Sequence, residues 1–159
     1  MTMQGITPCL WFDTQAEEAV AFYASLIEDS QIGEVVRYGE GAPLPAGTAL
    51  TVEFTLQGQK FLALNGGPMF QFSPAVSFIL HCETQEEVDH LWENLSDGGE
   101  KQRCGWLRDK YGLSWQVVPA AVGRMMRDPD PARRNRVMQA IMAMDRLDIA
   151  ALEAAYGGP

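Results

Sequence analysis

Few side chains in this sequence have the type and setting to do chemistry. Cys104 follows Arg103, and a cationic neighbour is what lowers a thiol's pKa enough to make it a nucleophile. In an extended strand, though, successive side chains point to opposite faces, which turns Arg103 away from the sulfur. Gly105, between this thiol and Trp106, suits a strand edge that another surface approaches closely. His81 ends an apolar run and His90 follows Asp89 in a helical pattern; a lone strand histidine is more often a hydrogen-bonded structural group than a ligand, and His90 is expected in solvent. Trp11, Trp106 and Trp115 could line an aromatic pocket or fill a core. A nucleotide-binding turn needs a strand, a glycine-rich turn and a helix in immediate succession. Gly39-Glu40-Gly41 instead runs into Pro43 and Pro45, and Asn65-Gly66-Gly67-Pro68 into Met69-Phe70-Gln71-Phe72, so both read as turns.

The elements that must position these groups come in two copies. Phe12-Asp13-Thr14-Gln15, followed by Glu17-Glu18, reappears 70 residues later as Cys82-Glu83-Thr84-Gln85, followed by Glu86-Glu87. An apolar run precedes each copy, Ile6 to Phe12 and Val76 to Cys82, and reads as a strand. A helical pattern follows each: Ala19, Phe22, Tyr23 and Leu26, then Val88, Leu91, Trp92 and Leu95, at the spacing of one helix face. Thr14 with Glu17 and Thr84 with Glu87 are spaced as capping boxes, in which hydroxyl and carboxylate satisfy the first helical amides reciprocally.

After the first helix, Gly33 to Tyr38 reads as a strand, Gly39 to Gly47 as a loop, and Val52 to Asn65 as a hairpin turning at Gly58-Gln59. After the second, Gly98-Gly99 breaks the chain, Arg103 to Leu107 forms a strand, Asp109 to Gly112 a turn, and Leu113 to Val118 a last strand closed by Pro119. The pattern is weaker in the second copy, where a short strand around Lys101 must be assumed or folded into the next one. The fold class is thus α+β, two βαβββ modules at about 4–68 and 74–119 within one domain of 159 residues. A tail at about 120–157 restarts at Asp128-Pro129-Asp130-Pro131 and reads as two helices, Ala132 to Met144 and Asp148 to Tyr156.

A formal net charge of −9, from 12 Lys and Arg against 21 Asp and Glu, excludes binding modes that rest on clustered cations, namely sequence-independent nucleic-acid binding and attachment to anionic membranes. The start carries no basic and apolar leader, and no apolar run nears the roughly 18 residues of a membrane span, so a cytoplasmic protein is expected. Cys9, Cys82 and Cys104, odd in number and without paired spacing, read as reduced thiols.

The helix of a βαβββ module covers one face of its sheet. Alternation assigns Val76, Phe78, Leu80 and Cys82 to the covered face and Ser77, Ile79 and His81 to the other. Thr51, Glu53 and Thr55 are likewise uncovered, as are Ser114, Gln116 and Val118 opposite Leu113, Trp115 and Val117. Two such sheets curving together would bring these mixed faces into one concavity suited to a small molecule; a solvated face or one packed on a second subunit is the alternative.

Leu64-Asn65-Gly66-Gly67-Pro68, Cys104-Gly105-Trp106-Leu107 with Asp109, Tyr111-Gly112, Ser114-Trp115-Gln116 and Pro119, and the tail's Asp148-Ile149-Ala150-Ala151-Leu152, together with the paired strand-helix starts, resemble the PhnB-like family. That family is often labelled 3-demethylubiquinone-9 3-methyltransferase and belongs to the vicinal oxygen chelate superfamily, with glyoxalase I, dioxygenases and bleomycin-resistance proteins. The resemblance implies a cupped mixed sheet and a homodimer. It also implies four metal-ligand positions, which fall near Ile6, at Leu64 or Asn65, at Val76 or Ser77, and at Gln116. Of these only Gln116 is a plausible remnant, since Ile6 cannot ligate and Asn65 and Ser77 are poor ligands for a transition metal.

The expectation is a small-molecule-binding homodimer without cofactor or metal, its pocket drawn from Trp11, Glu53, Asn65, His81, Cys104, Trp106 and Gln116. One alternative is a divalent-metal enzyme of glyoxalase or dioxygenase type with a rearranged Glu53, His81 and Gln116 site. Another is a structural or regulatory dimer whose cup is filled. Methyl transfer is not expected. Met138, Met142 and Met144 are expected to pack on the partner subunit in preference to closing over the cup.

Overall fold

The computed structural model describes residues 2–159, which divide into two compact units, 2–72 and 73–159. The first contains β1 (Cys9–Phe12), α1 (Ala16–Leu26), β2 (Ser30–Arg37), β3 (Ala49–Leu56) and β4 (Gln59–Asn65). Its sheet has the order β1-β4-β3-β2, with β1 parallel to β4 and the other pairs antiparallel. The helix buries Ala16, Ala19, Val20 and Tyr23, against a sheet face that buries Leu10, Phe12, Val52, Phe54 and Ala63. That stripe starts one turn earlier than the expected Ala19, Phe22, Tyr23 and Leu26, with Phe22 and Leu26 only half-buried.

The second unit contains β5 (Ser77–Cys82), α2 (Gln85–Leu95), β6 (Glu100–Lys101), a short turn of 3-10 helix (Arg103–Gly105), β7 (Trp106–Arg108) and β8 (Ser114–Pro119). The order is β5-β8-β7-β6, and β5 is parallel to β8 as β1 is to β4. Each unit therefore has a four-stranded mixed sheet with one helix after its first strand, the fold class expected. Val88, Trp92 and Leu95 of α2 are buried, as are Cys82, Leu107, Leu113, Trp115 and Val117 of the sheet and its turns. Asp109, itself buried, accepts from the Tyr111 and Leu113 amides at 2.9 and 3.0 Å and from the Trp115 indole at 2.9 Å. This fixes the turn into β8 and places Trp115 in the core.

Three local expectations are corrected. The Thr84–Glu87 capping box forms, but Thr14–Glu17 does not: Gln15 is the N-cap of α1 and makes no side-chain cap bond. The Asn65 side chain, from β4, takes the Ala16 amide at 2.9 Å, while Glu17 pairs with Arg37 at 2.7 Å. Arg103 to Leu107 is not one strand, because Cys104 and Gly105 are left-handed (φ +64° and +81°) and only Trp106 onward is extended. The tail holds three helices, α3 (Ala120–Met125), α4 (Pro131–Met142) and α5 (Ile149–Gly157), the first continuing directly from β8. Met125, Val137, Leu147 and Leu152 form the tail's own core, with Val118 of β8 and Met144 packed against it. Among the described residues no helix is long and apolar enough to cross a membrane.

Candidate functional site

The uncovered face of the second sheet is set by strand register. Ile79, Gln116 and Trp106 lie side by side across β5, β8 and β7. On either side run the rows Ser77, Ser114, Arg108 and Glu100, and His81 with Val118. His81 and Ile79 are exposed, and Trp106 and Gln116 half-buried. The Gln116 side-chain amide donates to the Ser77 hydroxyl at 3.0 Å. That leaves the Gln116 carbonyl oxygen as an acceptor and the Ser77 hydroxyl proton as a donor, two neutral hydrogen-bonding groups beside an indole and an isoleucine. Arg108 is paired with Glu100 at 2.8 Å. Ser77 is not set up as a nucleophile by this bond, since an amide cannot take its proton.

On the first sheet the corresponding face carries Trp11, Leu64 and Thr51 in one row and Cys9, Leu62 and Glu53 in the next. Trp11 is half-buried and Glu53 exposed. The Trp11 indole donates to the Gly67 carbonyl at 2.9 Å, and its ring meets Phe70 edge-on, with centroids 5.0 Å apart. A Cβ on Gly66 would come within 2.3 Å of that ring, so Gly66 is the seat of Trp11. Asn65 points to the opposite, helix-covered side and is 1% exposed. Its Oδ1 accepts from Ala16 and its Nδ2 donates to the Ala49 carbonyl, both at 2.9 Å, and its burial keeps what hydrogen-bonding capacity remains out of a ligand's reach. The neighbouring main-chain oxygen of Asn65 accepts from the Tyr38 hydroxyl at 2.7 Å, a contact that no local pattern announced.

Cys104 is half-buried in the turn that enters β7. Burial raises the Cys9 thiol, and pushes the Cys82 thiol up to about 11 with the Glu87 carboxylate adding to it. A hollow of about 280 Å³ lies among the tail helices, lined by Ala121, Arg124, Met125, Glu153 and Tyr156. Its cation and anion together give it no preference for a charged ligand.

The family model named 3-demethylubiquinone-9 3-methyltransferase matches residues 4–118. The chain belongs to that family. Among solved structures this PhnB-like chain is similar to a PhnB protein from Bacillus cereus, with 40% identity and a TM-score of 0.69 over 74% of this chain and 100% of that one. It is also similar to protein PA1353 from Pseudomonas aeruginosa, with 20% identity and a TM-score of 0.61 over 74% and 98%. A glyoxalase/bleomycin resistance protein from Albidiferax ferrireducens T118 matches at 14% identity and a TM-score of 0.48 over 74% and 98%. No curated protein matches the chain. The family match ends inside β8, so the helical tail lies outside it.

The residues at the four positions where the resemblance implies metal ligands do not fit a divalent ion. Ile6 is apolar and 83% exposed, Asn65 is consumed on the helix side, and Ser77 already accepts from Gln116. Among the described residues no group of three or more His, Cys, Asp or Glu side chains is arranged to hold one.

Proposed function

We propose that this PhnB-like protein binds a small, uncharged organic molecule against the uncovered face of its second sheet, using hydrogen bonds and ring packing in place of a metal. The supporting observation is the neutral Gln116–Ser77 pair in register with Ile79 and Trp106. A mostly apolar surface with a few convergent polar groups is the usual composition of a small-molecule site. His81 stands in the adjoining row and Cys104 at the entry to β7. Methyl transfer is not part of this reading. Of the two glycine-rich turns that could have suggested a nucleotide site, the second is used otherwise: Gly66 seats the Trp11 ring and the Gly67 carbonyl accepts its indole proton.

The active form in this reading is a homodimer in the cytoplasm. Support comes from Met138 and Met142, one turn apart on α4 and 42% and 62% exposed, and from three cysteines that are all free thiols. The test is a thermal-shift screen of chelator-treated protein against uncharged aromatic fragments such as naphthol, since a ligand that binds only the folded state raises Tm by mass action. Stabilisation that survives chelation and is lost in Trp106→Ala is expected. Stabilisation only after a divalent ion is restored would favour the metal-dependent reading instead.

A further inference from the structure

The tail segment between α4 and α5 is bonded into the second unit from both sides. The consecutive amides of Cys104 and Gly105 donate to the consecutive carbonyls of Met144 and Asp145, at 2.9 and 2.7 Å. Two successive amides in a left-handed turn form a small concave donor site, and here main-chain oxygens of the tail fill it. Leu147 is fully buried and lies against the same turn: a Cβ on Gly105 would stand 3.1 Å from Leu147 and 2.8 Å from the Val117 carbonyl. Gln85, the first residue of α2, holds the other side. Its Nε2 donates to the Leu147 carbonyl at 3.1 Å and its Oε1 accepts from the Ile149 amide at 2.8 Å. The pairs Arg146–Asp89 at 3.0 Å and Arg103–Asp145 at 3.5 Å add charge to the same seam.

What this seam holds is the turn that delivers Trp106. The Trp106 amide bonds back to the Arg103 carbonyl, the Gln102 amide bonds to the Trp106 carbonyl at 2.9 Å, and Trp106 then stands opposite Gln116. We infer that residues 144–149 are a strut that positions the ligand face, with Gln85 and Leu147 as positioning residues that set Trp106 without touching the ligand. This rests on the reading that the Trp106 face binds ligand, and it makes affinity at that face depend on residues outside the family match.

The test uses the full chain. Indole N–H signals in heteronuclear NMR spectra are assigned with Trp106→Phe, and naphthol binding is measured on the same samples. Gln85→Ala is expected to shift the Trp106 signal and weaken naphthol by about fivefold, the scale of one net hydrogen bond, while the Trp11 signal stays in place. Gln85→Glu keeps the acceptor for the Ile149 amide and is expected to move Trp106 less. Arg146→Ala perturbs the same seam from the surface should Gln85→Ala fold poorly. An unmoved Trp106 in both Gln85→Ala and Arg146→Ala, or all four indole signals moving together, overturns the strut. If Trp106 alone moves but the wild-type chain does not bind naphthol, the strut stands and the ligand reading falls. If naphthol binds the wild-type and Gln85→Ala chains equally, the reading stands and the strut falls.

Discussion

Asn65 joins three segments that are far apart in sequence. From the end of β4 it caps the first amide of α1 and ties down the first residue of β3. Asn65→Ala leaves a buried donor and a buried acceptor without partners, a loss of about 2–4 kcal/mol in unfolding free energy, to be read from urea denaturation. Alternation with Phe61 and Ala63, both buried, already turns Asn65 to the helix-covered face, and what its neighbours in sequence do not show is that Ala16 and Ala49 come there to bond it. Gln116 and His81 were placed on one face by alternation alone, because the alternation of side chains in a strand is a local property, whereas Trp106 joins them only through the register of β7 with β8. The thiols differ in a way no spacing could announce. With Cys82 buried and pushed up to about 11, native protein treated with iodoacetamide near pH 8 is expected to carry label at the accessible Cys9 and Cys104, and none at Cys82 until urea unfolds it. The raised value also means that the stability Cys82 contributes is whole below the ordinary thiol pKa and is lost as pH rises through its folded value.

The two capping sequences show how far an element can be read from its own residues. Thr84 and Glu87 close a box within four residues, whereas Thr14 and Glu17 have the same spacing and fail because Asn65 and Arg37 arrive from other strands with better partners. The broken strand at Cys104–Gly105 has the same origin, since the carbonyls that hold its left-handed residues come from the tail about 40 residues away. Gly66→Ala tests the seat of Trp11: the added methyl would overlap the ring, and overpacking of this kind costs about 1–3 kcal/mol, with a shift in tryptophan emission. In the tail, the Tyr156 hydroxyl donates to Asp128 and holds its carboxyl below the ordinary range, helped by the Asp130 amide and by Arg133 and Arg134. A depressed carboxylate contributes stability above its unfolded pKa and loses it as pH falls through the folded value. The urea midpoint of Tyr156→Phe should therefore lie below wild type at neutral pH, and the gap should close as pH falls below about 4.

For the whole molecule, the repeated strand-helix starts made the duplicated architecture legible, since each module's first strand and helix lie in one continuous stretch. The three-helix form of the tail was not legible. Ala120 to Met125 continues from β8 without a turn or cap signal, and its side chains are organised by Leu147 and Leu152, much later in the chain. The proposed homodimer should sediment at twice the 17.6 kDa of the chain, and charging the exposed stripe with Met138→Glu and Met142→Glu should shift it to the single-chain mass. The central claim, recognition by a neutral amide and an indole without a metal, is tested most directly by calorimetric titration of exhaustively chelated protein with the fragment that stabilises it most. Saturable binding of one fragment per chain is expected, with affinity lowered about tenfold in Gln116→Ala, the scale of a hydrogen bond together with its unpaired partner. Heat of binding that appears only when a divalent ion is added back, or that is unchanged in Gln116→Ala, would contradict it.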